Sequence, residues 1–264
     1  MKEVVVVRGG GDLATGVVQK FFRAGFNVII LETHSPTAIR RSVSLSEAVY
    51  EGVSKVEDMT CRMVNSPDDF EEAWSEGIVP LIIDPNGESI GRIKPAAVVD
   101  AIIAKRNIGT TLEMAAITIG LGPGFIAGKD VHAVIETKRG HNLGRLILRG
   151  EALPDTGIPG EVAGRSRERV LRAPIDGVLN CNKQIGATAE QGEIIFTAGG
   201  QPVHAPFTGV VRGILRDGTQ VKRNMKTADL DPRADIDVYT ISDKARAIGG
   251  AALEAYFYLK HNRD

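Results

Sequence analysis

Cysteine is almost absent from this chain. Cys61 and Cys181 are the two among 264 residues, and they stand far apart with no metal-ligand spacing around either. That argues against a disulfide framework, a structural zinc site or an iron–sulfur cluster made by this chain alone. Aromatic residues make up only 5% of the chain, so stacking platforms for single-stranded nucleic acid are lacking. Neither sign of charge is in excess, with 32 basic against 33 acidic side chains, and no basic field recommends nucleic acid. No apolar run reaches the roughly 20 residues of a membrane span. The chain enters a strand-like run at once, without the charged, apolar and cleavage regions of a signal peptide. The expectation is a soluble cytoplasmic protein with two buried thiols and no nucleic-acid, membrane or metal partner.

What is present is glycine, most tellingly near the start. Val4-Val5-Val6-Val7 is an apolar β-branched run, followed at once by Arg8-Gly9-Gly10-Gly11-Asp12-Leu13-Ala14. Gly9, Gly11 and Ala14 fit the G-x-G-x-x-G/A spacing, and Leu13, Val17, Phe21 and Ala24 recur at helical intervals. A second apolar run, Val28-Ile29-Ile30-Leu31, ends on Glu32, 21 residues after Gly11. Strand, glycine turn, helix, strand and acid are the context in which this motif points to a nucleotide or similar anion. The glycines permit a tight turn and close backbone approach, the helix N-terminus attracts phosphate, and the acid can bond a ribose hydroxyl. The competing reading is a tight strand-to-helix turn without a ligand.

Up to about residue 120, strand-like and helix-like segments alternate, which argues for a mostly parallel sheet. A helix is expected over 37–52. Its Arg40-Arg41 pair would either face an anion or form a solvated surface. Ser66-Pro67-Asp68-Asp69 reads as a helix start, and strands are expected over 61–64, 79–83, 97–103 and 115–119. Two polar or glycine-rich clusters follow such strands. One is Lys105-Arg106-Asn107. The other is the loop 120–128, with Gly120, Gly122, Gly124 and Gly128. In open α/β sheets ligands bind outside the carboxyl ends of strands, so both clusters join the site expected at the first glycine turn. Residues 130–137 and 143–149 read as a hairpin carrying His132, Glu136 and His141. These are candidates for acid–base work, although local hydrogen bonding explains them at least as well. No catalytic residue is assigned. The stretch 151–168, rich in Gly, Pro and charge, reads as a linker.

From 173 the character changes. Ala173-Pro174-Ile175-Asp176-Gly177-Val178 returns 32 residues later as Ala205-Pro206-Phe207-Thr208-Gly209-Val210, and Gly186 and Ala189 match Gly218 and Val221. A unit of about 30 residues repeated twice implies two similar β-rich halves packed together. The pattern resembles the biotinyl/lipoyl domain, whose attachment lysine sits in the hairpin between halves. Here that hairpin, 197–201, holds no lysine, and Met225-Lys226 lies in the wrong half. No covalent biotin or lipoate is expected, and the module would serve structure or docking. A closing helix is marked by Ser242 as N-cap and by the stripe Ile241, Ala245, Ile248, Ala252, Ala255 and Leu259.

Six segments, 7–16, 38–41, 100–110, 120–128, 136–141 and 242–250, resemble the YqeB family over nearly the full length. The resemblance implies an accessory protein of the selenium-dependent molybdenum hydroxylase system, that is, a pathway without an assigned reaction. Its partners would be a molybdenum hydroxylase apo-enzyme, other maturation proteins or further copies of the chain. The expected fold is α/β. A Rossmann-like ligand-binding domain spans 1–168, a biotinyl/lipoyl-like (barrel-sandwich) domain 169–235, and a helix packing back on the body 236–264. The expected ligand is a dinucleotide, either molybdopterin dinucleotide or NAD(P). Gly9, Gly10, Gly11 and Asp12 would hold phosphate and Glu32 a ribose, with Arg40, Arg41, Lys105, Arg106, Asn107, Gly122 and Gly124 around the rest. The alternatives are an NAD(P)-dependent oxidoreductase and a non-catalytic scaffold.

Overall fold

The computed structural model describes residues 2–262 and is a mixed α/β structure. It divides into two compact units. The first runs to Pro36, resumes over Ser44–Asp155 and takes in the chain from Ile241; the second comprises Thr37–Val43 and Thr156–Thr240.

The first unit is built on a nine-stranded sheet. In chain order its strands are β1 (Val4–Arg8), β2 (Asn27–Glu32), β3 (Val53–Val56), β4 (Met59–Met63), β5 (Val79–Ile83), β6 (Ala97–Asp100), β7 (Ile117–Leu121), β9 (Ala133–Ile135) and β10 (Leu146–Ile147), while β8 (Ile126–Ala127) and β11 (Gly150–Glu151) form a separate pair. The order is β10-β9-β7-β6-β1-β2-β5-β4-β3, with parallel pairs throughout the interior and antiparallel pairs at the two edges. β1 lies between β2 and β6, with Val5 opposite Val28 on one side and Ala97 on the other. Val5, Val6 and Val7 are fully buried. A parallel strand covered on both faces needs a continuous apolar run, and this one has it. From β1 the chain builds outward to β2 and β5 on one side and to β6, β7 and β9 on the other.

Helix α1 (Asp12–Arg23) follows the glycine turn and buries Ala14, Val17, Val18 and Phe21. Val17 and Phe21 are buried as expected, but Ala14 and Val18 complete the stripe, because Leu13 is half-buried and Ala24 is the exposed C-cap. The helix expected over 37–52 does not form. Two 3₁₀ turns, Arg41–Val43 and Leu45–Glu47, and the single turn α2 (Ala48–Glu51) take its place. The Leu45 and Ser46 N–H groups donate to Thr15 Oγ1 and Gly10 O instead of to carbonyls one turn back, and the Ser42 hydroxyl donates to Val238 O. Serines offered such partners compete with the helix ladder. The helix start expected at Ser66 forms, with Ser66 and Asp69 making a capping box ahead of α3 (Phe70–Ser75), and α4 (Ile90–Ile93) is one turn. The last helix, α5 (Asp243–Asn262), lies on α1. A methyl on Gly16 would overlap the Ala245 carbonyl, and one on Gly249 the Gly16 carbonyl, so glycine sets the approach of the two helices.

The second unit contains β12 (Val170–Arg172), β13 (Gly177–Cys181), β14 (Thr188–Ala189), β15 (Ile194–Ala198), β16 (Gln201–His204), β17 (Gly209–Ile214), β18 (Gln220–Val221) and β19 (Lys226–Asp231). Each of the first four strands recurs 31 or 32 residues later among the last four. The two four-stranded sheets run β12-β19-β17-β14 and β16-β15-β13-β18. Replacing every strand by its repeat turns one sheet into the other, so each half gives two strands to each sheet and neither half can close a core alone. Leu171, Leu179, Ile195, Phe196, Val211 and Leu230 fill the space within. Against divisions expected at 168/169 and 235/236, the units part at Asp155 and Ile241. The intervening stretch is tied to the β-rich unit by Arg169, which donates to Gly160 O, and by the Arg165 guanidinium, 4.2 Å from the Phe207 ring centre.

Candidate functional site

The strand ends of the first unit bring together most of the residues singled out by the sequence. Gly9 follows β1 with φ +94°, a conformation glycine adopts freely, and its N–H donates to Leu31 O at 2.8 Å. A methyl there would stand 3.2 Å from the Ala101 carbonyl oxygen, and one on Gly10 would stand 3.0 Å from the Ser46 nitrogen. Both glycines thus have reasons within the fold. Gly11 has none of that kind. Its φ of −67° suits any residue, and a methyl on it would meet nothing within 4 Å. It is the N-cap of a 12-residue helix that receives no side-chain cap. Asp12 opens the first turn and is half-buried.

Glu32, at the end of β2, turns back onto this loop. Its carboxylate accepts from Gly10 N at 2.8 Å and from Thr33 N at 2.7 Å. Burial pushes this carboxyl above the ordinary range, and the two N–H donors pull it part of the way back.

Beneath the turn lies a buried polar group that sequence reasoning missed. Arg8, 1% exposed, sends Nη1 to Thr110 Oγ1 at 2.5 Å and Nη2 to Pro85 O at 2.9 Å. Asp100, also 1% exposed, accepts from Thr110 Oγ1 at 2.6 Å and lies 3.6 Å from Arg8 Nη1. Burial raises its carboxyl despite the Thr110 hydroxyl and the Arg8 cation. The signal available was that Arg8 and Asp100 each close an otherwise apolar strand.

The loop after β6 leads from Asp100 to Thr110. Ile103 and Lys105 both hold positive φ, +59° and +61°. For a β-branched residue that is a strained conformation. Lys105 pairs with Asp155 at 2.6 Å, its side chain half exposed. Arg106 is exposed, and its backbone lies against Gly124, where a methyl would stand 2.5 Å from the Arg106 Cα. Asn107 closes the loop, accepting from Gly109 N and Thr110 N and donating to Thr110 O. Gly122, with φ +76°, leaves room for the Thr137 hydroxyl. The polar cluster and the second glycine loop therefore adjoin each other. Gly9 lies against the start of the same loop, at Ala101 and Ile102.

Arg40 and Arg41 belong to the second unit. There Arg40 Nη2 donates to Thr240 O, and Arg41 Nε donates to Ile214 O at 2.9 Å. His132 Nδ1 accepts from Thr118 N at 2.9 Å. Glu136 is buried and accepts from Lys138 N and Leu153 N, while His141 is exposed. The bonds of His132 and Glu136 serve local structure. Cys61 is buried and its thiol is pushed far up by desolvation; that of Cys181 is pushed up to about 11 by burial and then by Asp217. Among the described residues no group of His, Cys, Asp and Glu could hold a metal ion. None of their helices is long and apolar enough to cross a membrane.

No family model matches the chain. It is 46% identical over 260 residues to the uncharacterized protein YqeB of Escherichia coli (strain K12). The match takes in 98% of this chain but 48% of that protein, so the chain spans about half the length of the curated relative it matches. Among solved structures, an aspartoacylase family protein from Mesorhizobium loti is 12% identical, covering 88% of this chain and 86% of that one, with a TM-score of 0.28. The product-bound ectoine utilization protein EutE (DoeB) from Ruegeria pomeroyi is 11% identical, covering 87% and 85%, with a TM-score of 0.27. Structural likeness at that level carries no argument.

Proposed function

The sequence likeness over nearly the whole chain supports the YqeB family, and we propose that this protein binds a nucleotide-bearing ligand in molybdenum hydroxylase maturation. Molybdopterin dinucleotide is the ligand this pathway suggests. The observation that carries the proposal is Gly11. Gly9 and Gly10 are explained by neighbouring backbone, whereas at Gly11 glycine leaves open space in front of an uncapped helix N-terminus. An anion placed there gains about 0.3–1 kcal/mol from the helix alone, more when partly buried.

The strand order supports a Rossmann-like reading of the first unit. The direction of chain travel reverses between β1 and β6, and such a switch point is where open α/β sheets bind ligands. Phosphate would lie at Gly11, with Glu32 toward a ribose hydroxyl and Arg106 toward a second anionic group. Two interleaved halves support a biotinyl/lipoyl-like reading of the second unit. Its β15–β16 turn, Gly199-Gly200, carries no lysine, which suits docking better than carrying a swinging arm. Glu32 also favours a ribose without a 2′-phosphate, so NAD is the ligand of the second reading, an oxidoreductase.

The test is thermal denaturation with NAD, NADP, CTP and GTP, together with mass analysis of small molecules released from denatured purified protein. Stabilisation by a nucleotide, or release of a dinucleotide, is expected. No shift with any of the four and no released nucleotide would overturn the proposal.

A further inference from the structure

We infer that Thr110 is a positioning residue, holding the loop after β6 in register with the glycine turn after β1 through a single buried hydroxyl. Arg8 and Asp100 frame the bridge. They are the last residues of adjacent strands, and the two loops of the proposed site start at the very next positions, Gly9 and Ala101. Thr110 lies 102 residues from Arg8 in the chain, yet its Oγ1 accepts from Arg8 Nη1 and donates to Asp100 Oδ2. A hydroxyl has one proton to give and lone pairs to accept with. Here both capacities are used, on a cation and an anion that are themselves buried. Arg8 Nη2 extends the group to Pro85 O, in the loop after β5. Two strand-end loops, those after β5 and β6, thus meet on the guanidinium of the residue that leads into the third.

Asn107 delivers the hydroxyl. Its side chain bonds both the N–H and the C=O of Thr110 and so closes the tight bend 107–110. The preceding residues are not at rest by themselves, since Ile103 and Lys105 both hold positive φ. A strained loop keeps its shape only where surrounding contacts over-determine it. Those contacts are Ala101 N to Arg8 O at 2.9 Å, Ile102 N to Asp100 Oδ1 at 3.1 Å and the Thr110 bridge. The consequence is that Thr110 fixes the end of the loop that carries Lys105 and Arg106, beside the Lys105–Asp155 pair and the packing of Arg106 on Gly124, and that loosening the bridge loosens both loops. Only the ligand-holding role of those loops rests on the function proposed above; the coupling between them does not.

The test is amide hydrogen exchange on the full chain without ligand, in wild type, Thr110→Val and Thr110→Ser. Valine keeps the shape and removes the bridge; serine keeps the bridge. Thr110→Val is expected to raise exchange at least tenfold both over 101–110 and over 9–12, with β17 and β19 unchanged. Thr110→Ser is expected to stay within twofold of wild type. Faster exchange confined to 101–110 would overturn the inference, as would a serine variant as fast as the valine one. Nucleotide titration of the same variants separates the two ideas: if no nucleotide binds wild type but the exchange result holds, the ligand reading fails and the positioning role stands.

Discussion

Replacing Arg8 by methionine gives the sharpest stability prediction. Arg8 and Asp100 are each 1% exposed and face each other at 3.6 Å. Methionine fills much of the same space but leaves the Asp100 carboxylate without a cation, and Pro85 O and Thr110 Oγ1 without a donor. Breaking a buried pair by removing one partner costs about 3–5 kcal/mol, most of it the uncompensated charge. The pair itself is worth less, because desolvating both ions cancels much of their attraction. Arg8→Met/Asp100→Leu should therefore be more stable than Arg8→Met alone. The sign of the pH dependence follows from Asp100. Its folded carboxyl is raised above the unfolded value of about 3.9, so between the two pKa values the folded state binds more protons. Stability from this group falls as pH rises through that window. Without Arg8 the folded value rises further, so the deficit of Arg8→Met should be full at neutral pH and shrink on acidification. Urea denaturation of wild type, both single variants and the double variant measures this. A deficit of Arg8→Met below about 1 kcal/mol, or one that grows toward acid pH, would show that Asp100 does not depend on the Arg8 cation.

Other expectations separate neighbouring positions. Gly249→Ala should destabilise by more than about 2 kcal/mol, because its methyl overlaps the Gly16 carbonyl, whereas Gly250→Ala, with open space around it, should stabilise by up to about 1 kcal/mol; thermal denaturation of the two variants compares them. Lys105→Ala should cost no more than about 1 kcal/mol, since its pair with Asp155 is largely solvated, and a larger loss in urea would assign Lys105 a structural role. The protein should have the mass of its sequence, with no biotin or lipoyl adduct on Lys226, which lies within β19; an adduct found by intact mass spectrometry would make the second unit a carrier. Cys61 should resist alkylation in the native state, being buried with its thiol pushed far up, and should react once urea unfolds the chain.

What could be read from the sequence was what neighbouring residues decide. Val4–Val7, the glycine turn and Val28–Leu31 form β1, the bend and β2 as expected, because a fully buried parallel strand needs an unbroken apolar run. The repeat between 173 and 205 foretold two like halves, but not that each half would split its strands between both sheets, since strand pairing is a long-range choice. The helix expected over 37–52 was lost because Leu45 and Ser46 find their acceptors in Thr15 and Gly10. Val53–Val56 offered too short an alternation to announce the edge strand β3. Of the group formed by Arg8, Asp100 and Thr110 the sequence signalled only that Arg8 and Asp100 each close an apolar strand; their meeting on Thr110 could not be seen, for the members are up to 102 residues apart. Among the glycines, spacing alone could not distinguish Gly9 and Gly10, enclosed by backbone, from Gly11, which faces open space.

That distinction sets the decisive measurement, calorimetric titration of wild type and Gly11→Val with whichever nucleotide stabilises the protein. Valine at an N-cap weakens the helix start by about 1 kcal/mol, and with negative φ and open space it adds no clash, so the variant should fold. Gly11→Val is expected to keep a melting temperature within a few degrees of wild type, on the order of 2–4 °C per kcal/mol, and to lose nucleotide affinity at least a hundredfold. A folded Gly11→Val protein that binds the nucleotide within twofold of wild type would contradict this expectation.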